Sequence, residues 1–118
     1  MNSFNFGRKV EICGEIYYLS KDMGKVAEAM KQCSETMLKL AKDQSLSAEE
    51  IMEKVRKHSK DTIDTALGNG AFDRIFAEEE ADLLNLTSLV NFITEEINLW
   101  KTELTAKGMA AKAMLKKG

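Results

Sequence analysis

The chain contains no proline, one histidine and two cysteines in 118 residues. Without proline the strongest helix breaker is missing, and seven glycines carry the punctuation. The lone His58 has no Cys or acidic partner within its own pattern, so neither a Ser–His–acid nor a Cys–His nucleophile can be assembled around it. Cys13, Cys33 and His58 fall short of the four ligands that a structural zinc site takes. The two cysteines lie far apart with no second pair, a usage that reads as reduced cytosolic thiols. Only Arg8, Arg56 and Arg74 are arginines among 17 basic residues, the formal net charge is −2 and the pI is about 5.5. That balance lacks the basic face of a nucleic-acid-binding protein. No apolar run approaches the roughly 20 residues of a membrane span. Residues 1–20 carry charges inside their apolar stretch and do not read as a secretory signal.

Three local patterns invite a chemical reading and do not sustain it. Gly68-Asn69-Gly70 is followed by no Gly-Lys-Ser/Thr, and it closes a helix where a phosphate loop opens one. Glu78-Glu79-Glu80 with Asp82 lacks the alternating ligands and central glycine of a calcium loop, and reads as a solvated helix start. Lys107, Lys112, Lys116 and Lys117 make a basic end that reads as soluble rather than membrane-seeking. The residues therefore predict no enzyme, no metal and no cofactor.

What is present is a strand-rich start and long helical periodicities. Residues 4–19, FNFGRKVEICGEIYYL, are rich in Phe, Val, Ile and Tyr. They predict a strand ending near Ile12, a turn at Cys13-Gly14-Glu15 and a second strand from Ile16 to Leu19. Ser20 or Asp22 then caps a helix whose residues Met23, Val26, Met30, Cys33, Met37 and Leu40 recur at three-four spacing. Ser47-Ala48-Glu49-Glu50 is a capping box, and it starts a helix from Ala48 to Leu67 with Ile51, Val55, Thr62, Ile63 and Ala66 inward. Gly68 and Gly70 stop that helix. Ala71–Ala77 reads as a short helix showing Phe72, Ile75 and Phe76 to the core. The last helix follows the acidic run and extends to about Ala106, with Leu83, Leu86, Val90, Ile93, Ile97, Trp100 and Leu104 forming one seam.

The expected architecture is one α+β domain, mainly α-helical: an N-terminal β-hairpin over residues 1–19, then a body over 20–106 with three long helices and one short helix. Residues 107–118 are expected to be a basic flexible or frayed tail. On the last helix Phe92 and Leu99 lie seven residues apart and well away from the main seam, so they form a second, smaller apolar stripe. Either the hairpin or the short helix covers it, or it receives a partner. The expected partner contacts are Phe92 and Leu99, with Phe4, Phe6 and Tyr17 of the hairpin. An exposed hairpin edge also permits self-association by strand addition.

These elements resemble a family of small phage and prophage proteins from Gram-positive bacteria. The resemblance rests on the Phe-rich start FNFG at Phe4–Gly7, on GEIYYL at Gly14–Leu19, and on Gly68-Asn69-Gly70-Ala71-Phe72-Asp73-Arg74-Ile75-Phe76. It rests also on a Leu-rich helical stretch ending in Phe92-Ile93-Thr94-Glu95-Glu96-Ile97. Such proteins are similar to the tail assembly chaperones of long-tailed phages. The resemblance implies a non-enzymatic protein of the bacterial cytosol that coats the long helical tape measure protein until tail tube protein polymerises around it. It transfers no catalytic residue. It also implies a longer frameshifted product, with which the terminal Leu115-Lys116-Lys117-Gly118 is compatible through A-rich slippery codons. The seven methionines suit an adaptable surface. The rival readings are a structural tail or connector protein and a small helical regulatory or nucleic-acid-binding protein.

Overall fold

The computed structural model describes residues 7–117, with side chains through residue 109. Among them a two-stranded antiparallel hairpin precedes four helices: β1 (Lys9–Ile12), β2 (Glu15–Tyr18), α1 (Met23–Ala41), α2 (Ala48–Leu67), α3 (Ala71–Ile75) and α4 (Leu83–Lys117). The fold is α+β and mainly helical.

The hairpin turns on two residues. Cys13 and Gly14 both take positive φ, 52° and 80°, as a two-residue turn matched to the right-handed strand twist requires. Glu15 therefore pairs with Ile12 and belongs to β2, where the sequence suggested a turn position. The pairing Val10↔Tyr17 puts Val10, Ile12 and Tyr17 on the inner face, all buried. Lys9, Glu11, Ile16 and Tyr18 take the outer one. The hairpin does not stand alone. The Leu19 N–H donates to Arg8 O at 2.8 Å, and the Ser20 N–H donates to Ala66 O at 2.9 Å, joining the hairpin's exit to the end of α2. Arg8 then clamps the hairpin to α4: its Nε donates to Glu96 at 2.7 Å and its Nη1 to Glu103 at 2.8 Å.

Local chemistry sets each helix boundary. Asp22 caps α1 by accepting from the Lys25 N–H. Ser47 and Glu50 close the expected capping box on α2. Gly68 and Gly70, at φ 106° and 86°, turn the chain into α3, and the Asp64 carboxylate accepts from the Phe72 N–H at 2.9 Å to hold the corner. The Phe72 and Phe76 rings lie 4.8 Å apart in a tilted contact. Asp82 accepts from the Asn85 N–H at 2.8 Å and starts α4.

The core is a single cluster. Val26, Met30, Cys33 and Met37 of α1 meet Val55, Ile63, Ala66 and Leu67 of α2 and Leu86, Val90, Ile93 and Ile97 of α4, with the inner face of the hairpin closing one end. Ser59 is also fully buried, its hydroxyl 3.9 Å from both Cys33 Sγ and Met37 Sδ. A small side chain there lets α1 and α2 approach closely, and apolar periodicity alone does not mark it.

The last helix departs from expectation. It continues eleven residues past Ala106, to Lys117, so the backbone of residues 107–117 is helical rather than a frayed tail. Gly108 costs about 1 kcal/mol inside a helix, but the surrounding Ala, Met, Leu and Lys residues are strong helix formers and no proline interrupts them. The consequence is an elongated molecule of 64 × 35 × 18 Å. Its radius of gyration is 17.3 Å, against about 13 Å for a compact domain of this length.

Candidate functional site

The helices α1 and α4 run antiparallel, and a groove follows their junction on the outside of the body. At one end Leu38 and Ala41 of α1 face Leu83 and Thr87 of α4. In the middle Ser34 faces Asn91. At the other end Ala27 and Lys31 face Thr94 and Asn98. Two cavities of about 260 and 280 Å³ share Ser34 and Asn91, so they form one continuous trough. From Leu83 to Asn98 it is about 22 Å long at 1.5 Å per residue. Its floor is the buried Met30, Met37 and Ile97, and its walls are mostly small side chains. A groove of that shape between two helices accepts a third helix.

The wall contributed by α4 is also unlike the rest of the surface. Its exposed residues are Leu83, Thr87, Asn91, Thr94 and Asn98, none of them charged. On α1 the exposed face carries Lys25, Glu28, Lys31, Glu35 and Lys39. Depletion of charge over one exposed face of a protein that is 31% charged is the composition of an interface centre. At the Leu83 end of the groove Leu38 is 58% exposed and Leu83 is 39% exposed.

The contacts anticipated from sequence lie elsewhere. Phe92, Glu96, Leu99 and Glu103 share one face of α4, and this is the face that Arg8 grips. Phe92 is half-buried against the core, whereas Leu99 is 52% exposed. Hence the second stripe splits: its first residue is packing and its second is surface. Tyr17 is corrected outright. It is 3% exposed, Arg74 lies 5.1 Å above its ring, and its hydroxyl donates to Glu15 at 3.1 Å. The outward residues of β2 are Ile16 and Tyr18, one position either side, because strand register alternates faces. Phe4 and Phe6 lie outside the described residues. The signal for the groove was the Thr/Asn series at 87, 91, 94 and 98, a three-four repeat of uncharged polar residues that an apolar search passes over.

Other features lie apart from this groove. His58 is exposed on α2. Cys13 is exposed at the hairpin turn and Cys33 is buried. Among the described residues no three His, Cys, Asp or Glu side chains gather as a metal site, and no helix is long and apolar enough to cross a membrane. A cleft of about 440 Å³ between the hairpin and α3 is lined by Glu15, Arg74, Glu78 and Glu79 together with Ile12, Tyr17 and Ile75. The shifted pKa values fit structural roles. The Arg8 guanidinium is held above its ordinary value by its hydrogen bonds to Glu96 and Glu103. Burial pushes the Tyr17 phenol up, helped by Glu15. The Asp43 carboxyl is pulled down by the Ser45 hydroxyl and N–H that donate to it.

No curated protein and no solved structure matches the chain. One family model does, a family of unknown function designated DUF6673, over residues 19–116. That span runs from the residue after β2 through all four helices, so it includes both walls of the groove. The chain belongs to the DUF6673 family.

Proposed function

We propose that this protein is a non-enzymatic tail assembly chaperone of a long-tailed phage, working in the host cytosol. It binds helical segments of the tape measure protein and keeps them soluble until tail tube protein polymerises around them. The observation that carries the reading is the charge-depleted wall of α4 beside the apolar trough it forms with α1. A tape measure protein is a long run of amphipathic helix, and each segment has one apolar face that needs temporary cover. A 22 Å groove covers about four helical turns of such a face. Its floor contains the flexible Met30 and Met37 side chains, which adapt to varied apolar sequences, as a chaperone's clients demand. Small hydroxyl and amide walls add hydrogen-bonding capacity without imposing a charge pattern on the client. The phage assignment comes from the resemblance carried by Gly14–Leu19, Gly68–Phe76 and Phe92–Ile97. The helix-binding part comes from the groove.

Photo-crosslinking tests the docking face. A photoreactive residue at Thr87 or at Lys31, on opposite walls, is expected to capture tape measure segments, and the same residue at Lys57 on α2 is expected to capture none. Capture at Lys57 alone, with none at Thr87 or Lys31, would overturn the assignment of the groove.

A further inference from the structure

The cleft of about 440 Å³ between the hairpin turn and α3 shares no residue with the α1/α4 groove. One side is the two-residue turn at Cys13 and Gly14, across which Ile12 pairs with Glu15. The other is α3 and the turn that leaves it, where the Phe76 N–H donates to Phe72 O at 3.0 Å. Ile12, Tyr17 and Ile75 are buried and form the floor, while Glu15, Arg74, Glu78 and Glu79 are exposed and form the rim. Three carboxylates against one guanidinium give this small area a formal charge of −2, as much as the whole chain carries. None of the four makes an ion pair among the described residues. Glu15 accepts instead from the Tyr17 hydroxyl at 3.1 Å, and the Arg74 guanidinium lies over the Tyr17 ring at 5.1 Å. Glu78 and Glu79 are left unmatched.

We propose that this cleft docks an arginine side chain presented by a basic segment of a protein partner. The site does not depend on what fills the α1/α4 groove. Charge sets the sign of the occupant, because surplus carboxylates attract a cation and repel phosphates and acidic peptides. The layering of the cleft narrows it further. An apolar floor beneath a charged rim suits a side chain with an aliphatic stem and a cationic head. A bare metal ion makes no use of such a floor, and no three metal-ligating side chains gather among the described residues. Size agrees, since about 440 Å³ falls within the roughly 300–1,000 Å³ of small-ligand sites and leaves room for backbone beside the anchoring side chain. A guanidinium spreads five donors in a planar fork over neighbouring carboxylates, whereas an ammonium is a compact point charge. Arg74 shows that the Tyr17 ring and its carboxylate neighbour accommodate a guanidinium. Arginine is therefore favoured over lysine.

Cys13 supplies the readout. It is exposed on the wall of the cleft, whereas Cys33 is buried, so iodoacetamide alkylation of the folded full chain reports on Cys13. At saturation and low salt, a blocked oligoarginine peptide is expected to slow that alkylation about fivefold or more by mass action. A blocked oligoglutamate peptide is expected to leave the rate unchanged, and oligolysine of equal length is expected to bind about threefold or more weakly than oligoarginine. Titrating the slowing gives the dissociation constant. Glu78→Lys with Glu79→Lys is expected to raise it about tenfold or more. Glu28→Lys with Glu35→Lys makes the same charge change on the exposed face of α1 and is expected to raise it less than about threefold. All four glutamates are exposed, so both variants are expected to keep the fold. Alkylation unslowed by oligoarginine, or slowed equally by oligoglutamate, overturns the proposal. Equal affinity for oligolysine, or equal weakening by the two pairs of substitutions, overturns it as well.

Discussion

Replacing Leu38 and Leu83 together by glutamate separates a docking surface from a core. With 58% of Leu38 and 39% of Leu83 still exposed, the folded chain draws only part of a leucine's full stability from either. At about 2 kcal/mol for full burial of a leucine, the part buried in the body is worth about 1 kcal/mol for each. Leucine and glutamate have similar helix propensity, so the backbone adds little. The summed loss of about 2 kcal/mol should lower Tm by about 10 °C in a domain of this size. Docking a helix into the groove covers what remains exposed, about 1 kcal/mol at each leucine. The double variant should therefore bind a tape measure segment about 30-fold more weakly, and more so if the new carboxylates are desolvated. Isothermal titration with circular dichroism melting reads both quantities. Unchanged affinity in a folded variant would refute the assignment of the surface. Loss of the fold would show that the two leucines serve the core.

Four further outcomes follow from the packing. Leu86→Ala, at a fully buried position two residues from the exposed Leu84, should cost about 3 kcal/mol in chemical denaturation, against under 1 kcal/mol for Leu84→Ala. Ser47→Ala removes one half of the capping box and should cost about 1 kcal/mol, measured in the same way. Arg8→Ala breaks both bridges to α4, so amide exchange in β1 and β2 should accelerate while exchange in the middle of α2 stays slow. The raised Tyr17 pKa has a defined sign: its contribution is fully present below the ordinary phenol value near 10 and is lost as pH rises through the higher folded value. Melting temperature should fall more steeply above pH 10 than in Tyr17→Phe, and parallel curves would contradict that.

How much of this was legible in advance depended on whether the signal was local. The capping box at Ser47 and the glycines at 68 and 70 state their own geometry, and α2 begins and ends where they place it. The seam of α4 was equally plain, since three-four spacing needs no partner to be recognised. Tyr17 was misplaced because Tyr17 and Tyr18 are adjacent, and which of them faces inward follows from pairing with Val10, a fact of register. The reach of α4 was underestimated because its apolar seam ends at Leu104, although an alanine-rich stretch carries the helix on through Gly108. The groove needed two helices brought side by side. Nothing in the α1 sequence says that Ser34 meets Asn91, and the Thr/Asn wall is uncharged without being apolar.

The most direct test is the solubility of the tape measure protein, the long helical product expected from the reading frame downstream of this gene, expressed with and without this chain. The account predicts that it aggregates alone and is recovered in the soluble fraction with several copies of the chain bound along it. It also predicts that the Leu38→Glu, Leu83→Glu variant fails to rescue it. A tape measure protein equally soluble in both cases, or equally insoluble, would contradict the chaperone reading.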